Sequence, residues 1–276
     1  MKIIKPDVVE LKQTDLFKHI ELCGRTCYKS EDKITDDSHI RFVNMLKEHA
    51  HGAMLEHGTV YLKIPVKDVQ NLPSSPLNKE SALRGLLQQS ITPWCVHTRS
   101  IFDDKYWYTT TNYRVIVENY LEDFMHRYIC KPTKYHPKRR TFKITCNRGV
   151  SHEFVRHRVF SFAQESQRYC NYSKDKFSNE IRFIEPTALS NIGSDKESQN
   201  YAIWYESCAN AEVDYLAMIK NGATPQEARD ILPNACATEL IMTGFESDWD
   251  HFFNLRCAKD AHPQAQEIAN MIKEVF

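Results

Sequence analysis

One short run of the chain concentrates side chains that bind anions. Residues 156–169 read RHRVFSFAQESQRY. Arg156, His157 and Arg158 are consecutive, so they cannot share one helix face and can grip two groups at once. Guanidinium forks suit phosphates and carbonyl-rich rings. Phe160 and Phe162 follow, so part of this basic run is expected to be buried, and buried arginines need anionic or hydrogen-bonding partners. Two readings stay open on the residues alone: a ligand site, or an arginine network paired to the protein's own carboxylates. Ser166 has no evident triad partner and reads as a binding residue. Cys170, next to Tyr169, reads as a structural thiol.

The elements around this run follow from periodicity and capping. Val8–Leu11 is a short extended run, and Thr14–Asp15 can cap a helix through about Cys23. Asp37–Ser38 can cap another, with Ile40, Phe42, Val43, Leu46 and His49 spaced for one face. Thr59–Val66 alternates as a strand should. Asn112–Cys130 is expected as one long helix, Lys131–Arg140 as a basic turn, Thr141–Cys146 as a strand and Gly149–Arg158 as a helix. Lys196–Asn221 has helical spacing and stops at Asn221-Gly222. Thr224-Pro225 with Glu227 is a capping-box start. Ala237–Thr243 reads as a strand, and Asp248–Cys257 and Pro263–Val275 as the final helices. The pattern is α/β in the broad sense (α+β): a mixed sheet flanked by long helices.

Composition narrows the function. The chain has 276 residues with 36 basic and 36 acidic side chains, hence zero formal net charge, which argues against a nucleic-acid coat or a polybasic membrane binder. No apolar run approaches the length of a membrane span, and Met1–Lys12 does not lead into a secretory signal, so the expected location is cytoplasmic. The 9 cysteines are scattered without a CxxC and read as buried or half-buried thiols. The 12 histidines form no HExxH, which leaves a metal hydrolase unsupported, and no metal site is expected. GxGxxG and GxxxxGK[ST] are both missing, so any nucleotide must be held by side chains and ordinary backbone.

Arg156-His157-Arg158, seven residues, then Ser166 is the RHRx₇S signature, and the chain resembles the flavin-dependent thymidylate synthase family. Gln164, Ser166, Arg168 and Tyr169 also fall where that family places such residues. Leu55-Glu56-His57-Gly58-Thr59 resembles its "EH" step into a strand, and Glu227-Ala228-Arg229 to Leu232-Pro233 its ARxxLP element. Met242-Thr243-Gly244, Trp249, His251-Phe252 and Leu255-Arg256 resemble its late stretch. The resemblance covers roughly residues 1–66 and 139–276. It implies one domain over 1–276, with residues 67–138 as an insertion in it.

The resemblance implies a methyltransferase that makes dTMP from dUMP. Methylenetetrahydrofolate would be the carbon donor, NADPH the reductant and FAD the hydride carrier, in a homotetramer with shared active sites. It implies that Arg156, His157 and Arg158 contact FAD, with Arg156 also near dUMP. His57, Thr59 and His251 would border the flavin, with Gln164 serving both ligands. Glu153, Glu165, Ser166, Gln167, Arg168 and Arg229 would hold dUMP. Arg256 is expected to carry the chemistry: a fixed guanidinium stabilises charge building on the uracil, with no covalent cysteine nucleophile. Where the family often carries Asn and Arg against FAD, this chain has Phe245 and Ser247, so flavin contacts there are lost, altered or replaced from the insertion. Trp94, Tyr106 and Trp107 of the insertion are expected to pack in core or interface. The competing readings are a flavin-free nucleotide-binding protein on the same scaffold and an RNA-binding or assembly protein gripping phosphates through KPTKYHPKRR and RHR.

Overall fold

In the computed structural model, residues 1–70, 96–174, 177–190 and 195–276 are described. Their strands are β1 (Lys2–Ile4), β2 (Asp7–Glu10), β3 (Thr59–Pro65), β4 (Arg99–Phe102), β5 (Tyr106–Asn112), β6 (Arg139–Asn147), β7 (Ser161–Gln164), β8 (Arg182–Ile184) and β9 (Ala237–Phe245). The longer helices are α1 (Leu16–Tyr28), α2 (Ser38–Glu48), α3 (Tyr113–Glu118), α4 (Glu122–Tyr128), α5 (Arg148–Phe154), α6 (Asp195–Lys220), α7 (Glu246–Arg256) and α8 (Pro263–Val275). The α+β class holds, with the described strands split over three sheets: antiparallel β2-β6-β9-β7, antiparallel β3-β5-β4 and the parallel pair β1-β8.

The four-stranded sheet carries the site. Its strand β9 lies between β6 and β7 and is buried along its whole length. Successive side chains leave a strand on opposite faces. Leu240 and Met242 therefore pack with Phe142, Trp249, Phe252 and Ile268 under α7 and α8, while Ile241 packs with Cys23 and Ala163 under α1. Fully burying one such aliphatic side chain contributes about 1.5–3 kcal/mol, so both sheet faces need helical cover. Gly244 lets β9 pass close to Phe160: a Cβ there would sit 2.3 Å from the ring.

Local signals at helix starts are realised. Asp15 caps α1, accepting from the Phe17 and Lys18 amides at 2.9 Å. Thr224 and Glu227 form the reciprocal capping box, and Gly222 takes φ +96° after α6. The helix from Thr14 runs on to Tyr28, because Gly24 fits against Phe42 instead of ending it. In α2 the core face is Phe42, Val43 and Leu46; Ile40 is half exposed and His49 lies at the exposed C-terminal cap.

Two expectations fail. The long helix over Asn112–Cys130 is two helices, α3 and α4, interrupted at Tyr120 in the left-handed conformation with φ 55°. Breaking there lets Leu121 and Met125 turn into the same core as Tyr113 and Ile116. The helix expected over Gly149–Arg158 ends at Phe154, which leaves Arg156–Arg158 in the loop before β7.

The segment after β3 returns as β4 and β5 to complete a sheet with it, and α3 and α4 pack on that sheet. Trp107 stacks on Phe102 at 4.8 Å, and Lys63 sits 4.0 Å over Tyr106. Trp94 lies outside the described residues.

Candidate active site

The loop that holds Arg156–Arg158 is fixed from below by aromatic packing. Phe154 meets Phe252 at 5.1 Å, and Phe160 meets Trp249 at 4.6 Å. His157 is buried between Phe252, at 5.1 Å, and His251, at 6.3 Å. Arg156 and Arg158 flank it and are exposed, with no ion pair among the described residues. Arg156, His157, Arg158, His251, Leu255 and Arg256 share a cavity of about 270 Å³. Two segments far apart in the sequence, with His157 and Arg256 99 positions apart, are thus brought to one place, where Phe154 of α5 packs on Phe252 of α7.

Arg256 is held on three sides. Its Nε donates to His157 Nε2 at 3.0 Å, its Nη2 to the Glu153 carbonyl at 2.9 Å, and its Nη1 to the Glu153 carboxylate. Because His157 Nε2 accepts, the ring proton belongs on Nδ1. Burial, then the charges of Arg256 and His251, lowers His157 from 6.5 to about 4, so the imidazole stays a neutral acceptor.

The stretch 164–168 divides by the alternation that β7 sets up. Glu165 and Gln167 point inward and are buried; Arg168 and Tyr169 face out. Gln164 Nε2 is turned to Ser151 Oγ at 2.9 Å and Thr238 Oγ1 at 3.2 Å. The loop rests on the end of α1: the Ser166 amide donates to the Cys27 carbonyl at 2.9 Å, and Tyr169 packs on Tyr28 at 5.2 Å. Arg168 lies over Tyr169 at 5.2 Å.

Glu165, expected at dUMP, lies inside the fold among the protein's own cations. It is 2% exposed and faces Lys29 at 3.8 Å, Arg182 at 3.5 Å and the Tyr172 hydroxyl at 3.2 Å. It shares those cations with Glu239, and burial pushes its carboxyl up. Gln167, 6% exposed, is turned inward in the same way. His57, expected to border the flavin, is fully enclosed, and its Nδ1 meets Thr243 Oγ1 at 2.8 Å. Thr243 continues to Thr141 at 2.9 Å, and Thr141 to His19 at 3.3 Å. Burial holds His57 at about 3 and His19 at about 4.

The remaining expected residues are dispersed. Thr59 lines a different cavity, of about 690 Å³, at the foot of β3 and β6. Arg229 sits in the 3-10 turn after the capping-box helix, with Asp230 at 4.0 Å, and does not line the cavity of Arg256. Phe245 and Ser247 do meet the segment after β3: Arg99 of β4 lies 4.4 Å over the Phe245 ring and bonds Ser247 and Asp248. No spacing in the sequence linked Arg99 to α7; the link exists only through the β5-β4 pairing.

These features define an α+β chain with an arginine-lined cavity beside an antiparallel sheet. A family model described as "Thymidylate synthase complementing protein" matches residues 116–276. The flavin-dependent thymidylate synthase of Geobacter sulfurreducens is 34% identical over 123 residues, 45% of this chain and 49% of that protein. That of Pyrococcus furiosus is 30% identical over 176 residues, 62% of this chain and 69% of that protein. The chain spans about half the length of most of the curated relatives it matches. A solved UMP/dUMP methylase, PolB from Streptomyces cacaoi bound with 5-Br dUMP, covers 100% of this chain and 91% of its own at 15% identity and a TM-score of 0.46. The chain belongs to the Thymidylate synthase complementing protein family.

Proposed function

We propose that this protein is a flavin-dependent thymidylate synthase, converting dUMP to dTMP with methylenetetrahydrofolate as carbon donor and NADPH as reductant. The observation that carries this is the cavity where Arg156 and Arg158 stand exposed beside Arg256 and His251. Cations without a carboxylate partner suit the anionic parts of FAD and dUMP, so the residues present fit both. The flavin, when bound, supplies the hydride transfer.

The chain's own residues do the rest. Arg156 and Arg158 would grip the cofactor from either side of His157, with His251 at the rim. Arg168, outward and stacked on Tyr169, would take the nucleotide phosphate, and Arg229 would reach it from another face. Arg256, aimed by neutral His157 and by Glu153, would stabilise negative charge building on the uracil oxygens. Glu153 screens that guanidinium at rest and must share it with the pyrimidine. A cysteine nucleophile is disfavoured at the end of α1, against which the loop rests: burial pushes Cys27 up to about 11, so little thiolate is present at neutral pH.

The same reading keeps residues 1–276 as one domain with 67–138 inserted, and puts the protein in the cytoplasm. It also makes the enzyme a homotetramer: no residue of 164–168 lines the Arg256 cavity, so a site drawn from several copies would supply the phosphate side. Among the described residues no helix is long and apolar enough to cross a membrane.

The visible absorption spectrum of the purified protein, before and after dUMP, tests the proposal. Flavin bands that shift on dUMP addition are expected. A protein that neither carries nor takes up FAD and gives no dUMP response would overturn it in favour of the flavin-free nucleotide binder.

A further inference from the structure

Arg139 is a cation without a carboxylate partner among the described residues. It opens β6, pairs in register with Phe245 and lies 5.6 Å under that ring. One Nη donates to Thr59 Oγ1 at 3.3 Å and the other to the Glu56 carbonyl at 3.1 Å, both neutral acceptors. Its Nε is enclosed and has no partner. No carboxylate among the described residues lies within 4 Å, because its neighbours are engaged elsewhere: Glu56 by Arg114 at 2.7 Å, Asp248 by Arg99. Burial depresses even this guanidinium, to about 10. A half-buried guanidinium with an enclosed, unpartnered Nε and no anion beside it is costly, and a bound anion would offset that cost.

The space for one adjoins it. Arg139 lines the cavity of about 690 Å³, within the range of small-molecule and cofactor sites. Lys12, Lys131 and Lys138 stand exposed on the rim, and Tyr61 offers an aromatic wall. Of the acids there, Glu10 is paired with Arg140 at 2.7 Å and Asp15 caps α1; Glu246 is the third. One carboxylate would not need so many cations. We propose that this cavity binds the diphosphate of a dinucleotide, with Arg139 at its wall and the three lysines at its mouth. FAD and NADPH both carry that group. Only the choice of these two dinucleotides rests on the synthase reading.

The test is calorimetric titration of the full chain with inorganic pyrophosphate, at saturating dUMP to mask the nucleotide loop. Arg139→Gln is expected to weaken pyrophosphate binding about 10- to 100-fold, the range for losing charge-assisted hydrogen bonds. Lys131→Glu with Lys138→Glu, on the exposed rim, is expected to weaken it about 3-fold or more and to flatten its salt dependence. That pair carries the test if Arg139→Gln does not fold. FAD or NADPH is then titrated as competitor, and whichever abolishes the pyrophosphate heat identifies the source. No pyrophosphate binding, wild-type binding in the variants, or competition by neither dinucleotide overturns the proposal. A protein without flavin bands whose pyrophosphate binding still depends on Arg139 and is lost to NADPH would sink the synthase reading and leave this one standing.

Discussion

Acid should unfold this protein early, and the cause lies in three histidines. His19, His57 and His157 are 5%, 0% and 8% exposed, and burial holds them at about 4, 3 and 4 against an ordinary 6.5. The unfolded chain therefore binds more protons than the folded one between about pH 6.5 and pH 4, and stability falls as pH drops through that window. Each such imidazole removes about 2 kcal/mol between pH 7 and pH 5, so the three together remove roughly 6 kcal/mol. That rivals the total stability of a small protein, about 5–15 kcal/mol. Urea unfolding at pH 7, 6 and 5, on wild type and His57→Gln, checks this. The variant starts lower, having lost the Thr243 contact, but is expected to lose about 2 kcal/mol less than wild type on acidification. Parallel stability–pH curves for the two proteins, or a wild type equally stable at pH 5 and 7, would refute the reasoning.

Three further outcomes are expected. Arg256→Ala should lower kcat by about 100-fold or more while keeping any flavin bands, since the lost donor acts on developing charge; steady-state kinetics with a spectrum of the same sample decide it. Glu165→Gln removes one carboxylate charge facing Lys29 and Arg182, and thermal melts should show a loss of about 1–3 kcal/mol. Gly244→Ala drives a Cβ to 2.3 Å from Phe160, whose ring is wedged against Trp249, and should cost about 1–3 kcal/mol in urea titrations.

What was readable in the sequence was local. Asp15, the Thr224–Glu227 box and the stop at Gly222 act within a few residues, so their types announce them. The RHR run with Arg256 was readable through its resemblance to a known family, and the fold does bring those residues to one cavity. The misreadings share a physical origin: tertiary contact overrode local preference. Tyr120 accepts a left-handed backbone so that Leu121 can reach the core. Within 164–168 the period of β7 persists and sends Glu165 and Gln167 inside, which the residue types did not announce. Arg99 and Arg139 were invisible as partners of Phe245, because only strand pairing places them there.

The charge pattern around the two cavities has one logic. Net charge is zero, yet selected guanidiniums are oriented by groups that cannot cancel them. Arg256 donates to a neutral imidazole, and Arg139 donates to a threonine hydroxyl and a backbone carbonyl. The arginines help keep those imidazoles neutral: Arg256 acts on His157, and Arg139 on His19 and His57, adding to burial. A neutral acceptor fixes direction and leaves the positive field for a ligand, whereas a carboxylate fixes direction and consumes it. Glu153 is the exception: its carboxylate sits on Arg256 and screens that guanidinium, while Arg139 has no carboxylate within 4 Å among the described residues. On the proposed reading a substrate would have to compete with Glu153 for Arg256, whereas an anion at Arg139 would meet no such competitor.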